Sequence, residues 1–303
     1  MDLQVESSWF EDAVLGRTII VFLLAAVALA VSAATARASI TLGQLAPTTN
    51  TGFCNSNDDR LDPTVTSGNT YVVPGAGTLT SWSTNAGANT GQEMTMKVFR
   101  RVSEPDEYAV VGHDGPRDLI QNSLNSFTTG IAVKAGDVLG LNSPTTGTAA
   151  TYCDFPAMGE SYPFHSGDLA DGQSASFTDT QLGDRLNISA VVVPSNGFSI
   201  GAVQRSKKSG TATLTVSVPG PGELVTSGAG LTTAAPGAVP STAVAGPGDV
   251  QILIRATGAK GKKLKKKGKV SVTPSVTYTP SGGDAATQAT AVTLKLKHKK
   301  KHH

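Results

Sequence analysis

The chain has 303 residues, enough for two ordinary domains once an export segment is removed, with 25 Lys and Arg against 23 Asp and Glu. Aromatic residues make up only 5% while glycines number 33. No stretch of the mature chain repeats its apolar residues at 3.6, which excludes a helical bundle and points to β structure. The near-neutral total hides a division: Ser39–Asn196 holds 16 acids and 7 bases, net −9, and Gly197–His303 holds 3 acids and 16 bases, net +13.

Apolar residues run almost unbroken from Ile19 to Val31 and give way to small residues ending Ala36-Arg37-Ala38. This is a secretory signal, residues 1–38, with an A-x-A cleavage signature between Ala38 and Ser39. As a membrane span it falls short of the ~20 apolar residues that a bilayer core demands. Met1–Arg17 carries Asp2, Glu6, Glu11 and Asp12 against the single base Arg17, the reverse of an export n-region. GTG and TTG both start bacterial genes, so initiation at Val14 or Leu15 leaves a normal n-region and puts Met1–Ala13 outside the translated chain. The mature protein is expected to be secreted, to carry no transmembrane segment and to associate with the cell envelope.

Residues 39–194 form the acidic half. Strand-like runs recur at Thr70–Val73, Thr78–Asn85, Met94–Arg101, Tyr108–Gly112, Phe127–Val133, Val138–Leu141, Ala175–Phe177 and Arg185–Val193. Met94, Met96 and Val98 alternate with Thr95 and Lys97, and Leu186, Ile188, Ala190 and Val192 alternate likewise, so each strand is expected to bury one face. About eight strands with long connections suit a jelly-roll-like sandwich. Ile131–Leu141, IAVKAGDVLGL, resembles the strand–turn–strand near the end of extracellular jelly-roll modules, with Ala135-Gly136-Asp137 as its turn. Cys54 and Cys153 are the only cysteines, and export implies that they pair.

Candidate ligand groups in this half are few. Asn55, Asn57, Asp59 and Asp62 alternate as in the opening of a calcium loop, although Arg60 and Thr66 stand where an EF-hand needs Gly and Glu. An irregular calcium cage is the reading left for them, with the Asp168…Asp171-Gly172 loop a weaker second set, and no other cofactor is expected. Tyr152, Phe155, Tyr162 and Phe164 make a Pro-rich loop, Tyr152–His165, unusually aromatic beside Cys153, the residue type that stacks on sugar rings; Trp82 lies within a strand. No G-x-S-x-G elbow or H-E-x-x-H pair is present within residues 39–194, and His113 and His165 read as solvated loop residues, so no enzyme is expected. Asn187-Ile188-Ser189 matches a glycosylation acceptor but sits within an expected strand.

The sign of charge changes at Val193-Pro194-Ser195-Asn196-Gly197, and residues 197–297 form the basic half, followed by the tail 298–303. Strands are expected at Phe198–Gln204, Thr211–Val218, Glu223–Ser227, Val250–Ala256, Val270–Thr279 and Gln288–Lys297, with a seventh near Leu231 or Leu264. Ala229–Gly248 shows little pattern and reads as a mobile loop. About 100 residues so spaced suggest an immunoglobulin-like sandwich without its disulfide. Ser206–Gly230, SKKSGTATLTVSVPGPGELVTSGAG, and Lys267–Gly283, KGKVSVTPSVTYTPSGG, resemble a repeat module of secreted two-domain β-sandwich proteins of high-GC soil actinobacteria. That resemblance implies fold and export and supplies no activity.

The turn region Pro280–Asp284 makes Val270–Thr279 and Gln288–Lys297 an antiparallel hairpin. The entry of the first strand then lies beside the exit of the second. Lys260, Lys262, Lys263, Lys265, Lys266, Lys267 and Lys269 are thereby brought next to Lys295, Lys297, Lys299, Lys300 and Lys301, with Arg205, Lys207 and Lys208 at the same end. The expectation is a non-catalytic binding or structural protein held by this pole to an anionic cell-wall polymer or polysaccharide, with nucleic acid not expected in an exported setting. The alternative is a carbohydrate-binding module using the aromatic segment near Cys153. His298, His302 and His303 belong to a solvated tail.

Overall fold

The computed structural model describes residues 38–47, 54–233 and 241–297. The first half contains β1 (Ile40–Gln44), β2 (Asp58–Leu61), β3 (Gly77–Asn85), β4 (Glu93–Ser103), β5 (Glu107–Asp118), β6 (Leu124–Val133), β7 (Val138–Asn142), β8 (Asp154–Ser166), β9 (Ser174–Ser176), β10 (Asp179–Leu186) and β11 (Ile188–Pro194). The second contains β12 (Ser199–Ser206), β13 (Thr211–Val218), β14 (Gly222–Ser227), β15 (Leu231–Thr232), β16 (Ser241–Val244) and β17 (Gly248–Ala256). The helix α1 (Gly258–Lys267) follows, then β18 (Lys269–Val272), β19 (Ser275–Pro280), β20 (Ala286–Ala289) and β21 (Val292–Lys295). The chain is thus all-β apart from one helix among the described residues. The described residues fall in one compact unit built round two separate cores.

Alternation builds the first core. Met94, Met96 and Val98 of β4 and Ile188, Ala190 and Val192 of β11 are all buried, each set on one face of its strand. They belong to one cluster shared by a four-stranded sheet, order β1-β11-β3-β6, and a seven-stranded sheet, order β10-β8-β2-β7-β4-β5-β9. Each such side chain removed from water contributes about 1.5–3 kcal/mol.

The seven-stranded sheet departs from the one-face expectation. Thr95 and Lys97, on the other face of β4, are buried too. The reason is a second cover: Phe177 packs edge-on against Phe99 and Tyr108 at 5.3 and 5.6 Å, and Leu169 joins the same cluster.

Three further expectations are corrected. Arg185–Val193 is two strands, because Leu186 closes β10 in one sheet and Ile188 opens β11 in the other. Asn187 turns that corner, fully buried, accepting from Ala46 N–H at 2.9 Å and donating to Asn85 O at 2.7 Å and Tyr152 O at 2.6 Å. Its amide is used up in holding the corner, which closes the glycosylation reading. The segment Tyr152–His165 is mostly strand β8, disguised by Pro156, Gly159 and Pro163, with Ala157–Glu160 looping out opposite Gly183. Cys54–Asp62 likewise contains β2, whose residues are buried between β7 and β8.

The second core lies between the sheets β12-β13-β17-β15 and β16-β14-β19-β20, with β18-β21 as a separate pair. The expected hairpin forms in one unbroken register, from Lys269↔Lys295 to Tyr278↔Ala286, but it bends at Thr273-Pro274. Pro274 has no N–H to give the ladder, and its carbonyl accepts from Thr290 N–H at 3.1 Å. Leu231 supplies the seventh strand, whereas Leu264 lies in α1. Ala229–Gly248 yields β15 and β16, with 234–240 outside the described residues.

The Pro219-Gly220-Pro221-Gly222 turn lies where the two cores adjoin. Pro219 O accepts from Ala76 N–H at 2.9 Å, and a Cβ on Gly220 would stand 2.9 Å from the Gly75 backbone. Tyr278 Oη donates to Gly220 O at 2.9 Å from inside the second core. This turn follows β13, while the lysine-rich end begins at the turn before it, so a strand of eight residues separates the two.

Candidate functional site

Six of the ten residues of α1 are lysines, and isolated helices of that charge repel themselves. Tertiary packing holds this one: Leu264 is its single buried residue and belongs to the second core. The helix ends on Gly268 in the left-handed region, φ 66°, with its N–H on Leu264 O at 2.8 Å. Lys265, Lys266 and Lys267 occupy the last turn, where the helix dipole favours cations.

The register brings the other lysines to the same place. Lys269 and Lys295 stand directly opposite each other across β18 and β21. Leu296 N–H donates to Gly268 O and Lys297 N–H to Lys207 O, both at 2.8 Å. A shallow hollow results, lined by Lys207, Lys269, Lys295 and Lys297 with Gly268 and Leu296. Lys260, Lys262, Lys263, Lys265, Lys266, Lys267, Lys269, Lys295 and Lys297 are all exposed, as are Arg205, Lys207 and Lys208. None of them makes an ion pair among the described residues. Lys260 Nζ donates to Ser271 O at 2.9 Å. Lys299, Lys300 and Lys301 lie outside the described residues, as do the tail histidines.

No protein-family model and no curated protein matches the chain. Function has therefore to be read from geometry.

Cys54 and Cys153 form the expected disulfide, Cα to Cα 5.7 Å, closing a loop of 99 residues. Beside it opens a cleft lined by Asn55, Asp58, Arg60, Asp154, Tyr162, Phe164, Gln181 and Asp184, among others. Tyr162 Oη donates to Asp154 Oδ2 at 2.5 Å, and burial pushes the Asp154 carboxyl above the ordinary carboxylate range. Of the four aromatic candidates Phe155 and Tyr162 are buried, so neither offers a free ring face, and Tyr152 and Phe164 are half-buried. Trp82 is buried against Phe127 with its N–H on Asp114 Oδ2 at 2.6 Å.

The four calcium candidates do not converge. Asn55 Oδ1 accepts from Gly147 N–H at 2.6 Å, and Asn57 is exposed. Asp59 faces the ammonium of Lys97 at 2.6 Å. Asp62 lies in a separate buried cluster whose backbone donors are Thr64 and Leu186. The second set separates too: Asp168 goes to Lys97 at 2.6 Å and Asp171 to His113 Nδ1 at 2.7 Å. His113 and His165 are strand residues rather than loop residues, and His165 lies against the Phe177 ring at 5.7 Å.

Two buried polar clusters were not singled out from the sequence. Lys97 Nζ donates to Asp59 Oδ1, Asp168 Oδ1 and Leu169 O at 2.6, 2.6 and 2.8 Å. Arg185 donates to Glu160 Oε1 and Gln44 Oε1, both at 2.6 Å, near Asp62, whose carboxyl burial pushes up to about 7. The available signal was Lys97 itself, a charge set between Met94-Thr95-Met96 and Val98-Phe99 within β4.

Proposed function

We propose that this is an exported, non-catalytic binding or structural protein of the cell envelope, tethered by its lysine-rich end to an anionic polymer. In this reading an acidic jelly-roll-like sandwich is carried by a basic immunoglobulin-like one. The observation that carries it is the hollow at the end of β18 and β21, where Lys269 and Lys295 stand opposite each other without a carboxylate partner. Like charges directly across a ladder destabilise it. A polyanion laid across the end relieves that repulsion and meets many lysines together, since the Debye length is ~8 Å at ~0.15 M salt. The disulfide fits an oxidising compartment. Among the described residues no helix is long and apolar enough to cross a membrane.

The test is retention of the whole mature chain on immobilised wall polyphosphate or acidic polysaccharide across a salt series. Retention should fall steeply with salt. Replacing Lys260, Lys262, Lys263, Lys265, Lys266, Lys267 and Lys269 with Ser should lower both retention and salt slope; unchanged values overturn the reading. The carbohydrate-module alternative now rests on Phe164 beside the polar groups of the disulfide cleft. Glycan binding lost in Phe164→Ala and kept in the lysine variant would favour it.

A further inference from the structure

Asp59, Lys97 and Asn142 sit on three neighbouring strands, β2, β4 and β7, with β7 in the middle. Asn142 is opposite Asp59 on one side and Thr95 on the other, so Lys97 is two residues along the same face of β4. Lys97 itself stands opposite Gly140, which puts no side chain between it and β2. All three polar residues are buried, at 0, 1 and 0% exposure for Asp59, Lys97 and Asn142. One atom joins them: Asp59 Oδ1 accepts from Lys97 Nζ at 2.6 Å and from Asn142 Nδ2 at 3.0 Å. The amine and the amide are therefore neighbours with a carboxyl group touching both. Asn142 Oδ1 is buried with no hydrogen-bond partner.

We propose that Lys97 and Asn142 become joined by an amide bond, with Asp59 moving the protons. Lys97 Nζ and Asp59 Oδ1 are in contact at 2.6 Å, and desolvation holds the Asp59 carboxyl above its ordinary range despite the lysine. Transfer of one proton from Nζ to Asp59 leaves a neutral amine and a carboxylic acid. The amine attacks Cγ of Asn142. Asp59 gives its proton to Nδ2 and takes one from Nζ; the Cγ–Nδ2 bond breaks and ammonia leaves. One C–N bond forms and one breaks, Nζ keeps a single hydrogen, and Asp59 ends as the neutral acid. No oxidant or cofactor enters. Fixed neighbours of this kind replace a bimolecular encounter and so remove the entropic part of the barrier, while proton delivery to Nδ2 by Asp59 turns a poor leaving group into ammonia. The product also gives the unpartnered Asn142 carbonyl oxygen a donor, the Asp59 carboxylic acid. Asp168, which accepts from Lys97 Nζ at 2.6 Å, is half exposed, so the cluster borders solvent there and the ammonia is released on that side. The link would tie β4 to β7 inside the longer loop closed by Cys54–Cys153.

The test is the mass of the folded, exported protein after reduction, followed by peptide mapping. The expected result is a chain one ammonia lighter than its sequence, and a branched peptide joining the Lys97 segment to the Asn142 segment. Lys97→Arg and Asn142→Ala should each restore the full mass. Asp59→Asn keeps both reacting groups and should slow linkage by about 100-fold or more, the usual worth of a positioned acid–base group. A folded native chain at full mass overturns the proposal, and that reading needs no variant to fold. Loss of ammonia without a branched peptide, as from a succinimide, overturns it equally. Linkage at the native rate in Asp59→Asn would overturn the role given to Asp59.

Discussion

In the first sandwich Arg60, Lys97 and Arg185 are buried against carboxylates at 2.9, 2.6 and 2.6 Å, whereas in the second every lysine of the described residues is exposed and unpaired by acid. The first half has acids in excess and encloses three of its seven bases among them. The second has 3 acids for 16 bases and can only turn them outward. The same residue type thus fastens one fold internally and forms a one-sign surface on the other. The lesson is that composition decides how many charges lack partners, and register decides where they gather.

The largest test of this contrast is removal of a buried partner. Lys97→Ala leaves Asp59 buried beside nothing but an amide and a backbone N–H, and unfolding in denaturant should show a loss of about 3–5 kcal/mol. The same substitution at Lys266, on the exposed helix, should change stability by less than about 0.5 kcal/mol. Next comes the disulfide. Replacing both Cys54 and Cys153 with Ser should cost about 2–4 kcal/mol, measured as a shift in the midpoint of the first sandwich with the second unaffected.

Smaller effects sharpen the picture. The folded Asp62 carboxyl is raised to about 7 by burial, with the Glu160 charge adding to this and Arg185 opposing it, against a reference of 3.8. The folded state therefore binds the proton more tightly, and the stability this gives is present in full below the unfolded value and lost as pH rises through about 7. Comparing Asp62→Asn with the native chain in denaturant between pH 5 and pH 8 should reveal a difference on the order of 1–3 kcal/mol, with the native chain losing ground as pH rises. An unchanged difference across that range would remove Asp62 from the account. The smallest effect is at the lysine-rich end. Lys269→Glu turns a like-charged cross-strand pair into an opposite one and should raise stability by about 0.2–1 kcal/mol while lowering retention on the polyanion.

Much of this was legible in the sequence. Period-two alternation located β4 and β11 because their inner positions carry only Met, Val, Ile and Ala. The cysteine pair followed from its being the only one in a chain whose Ile19–Val31 run reads as an export signal. The gathering of lysines followed from chain geometry: a hairpin must return its second strand to the entry of its first, whatever bend Pro274 puts in it. The tertiary structure alone decided what lies on the far side of each strand. Lys97 reads as a solvent-facing residue until Leu169 and Phe177, far along the chain, cover it. β8 was hidden because Pro156, Gly159 and Pro163 look like breakers until partners on both sides supply the pairing. Asn187 reads as one more strand residue until two sheets meet at it. Local patterns report which residues seek burial, but a polar residue becomes buried only when distant segments bring its partners, and that pairing is written in register rather than in period.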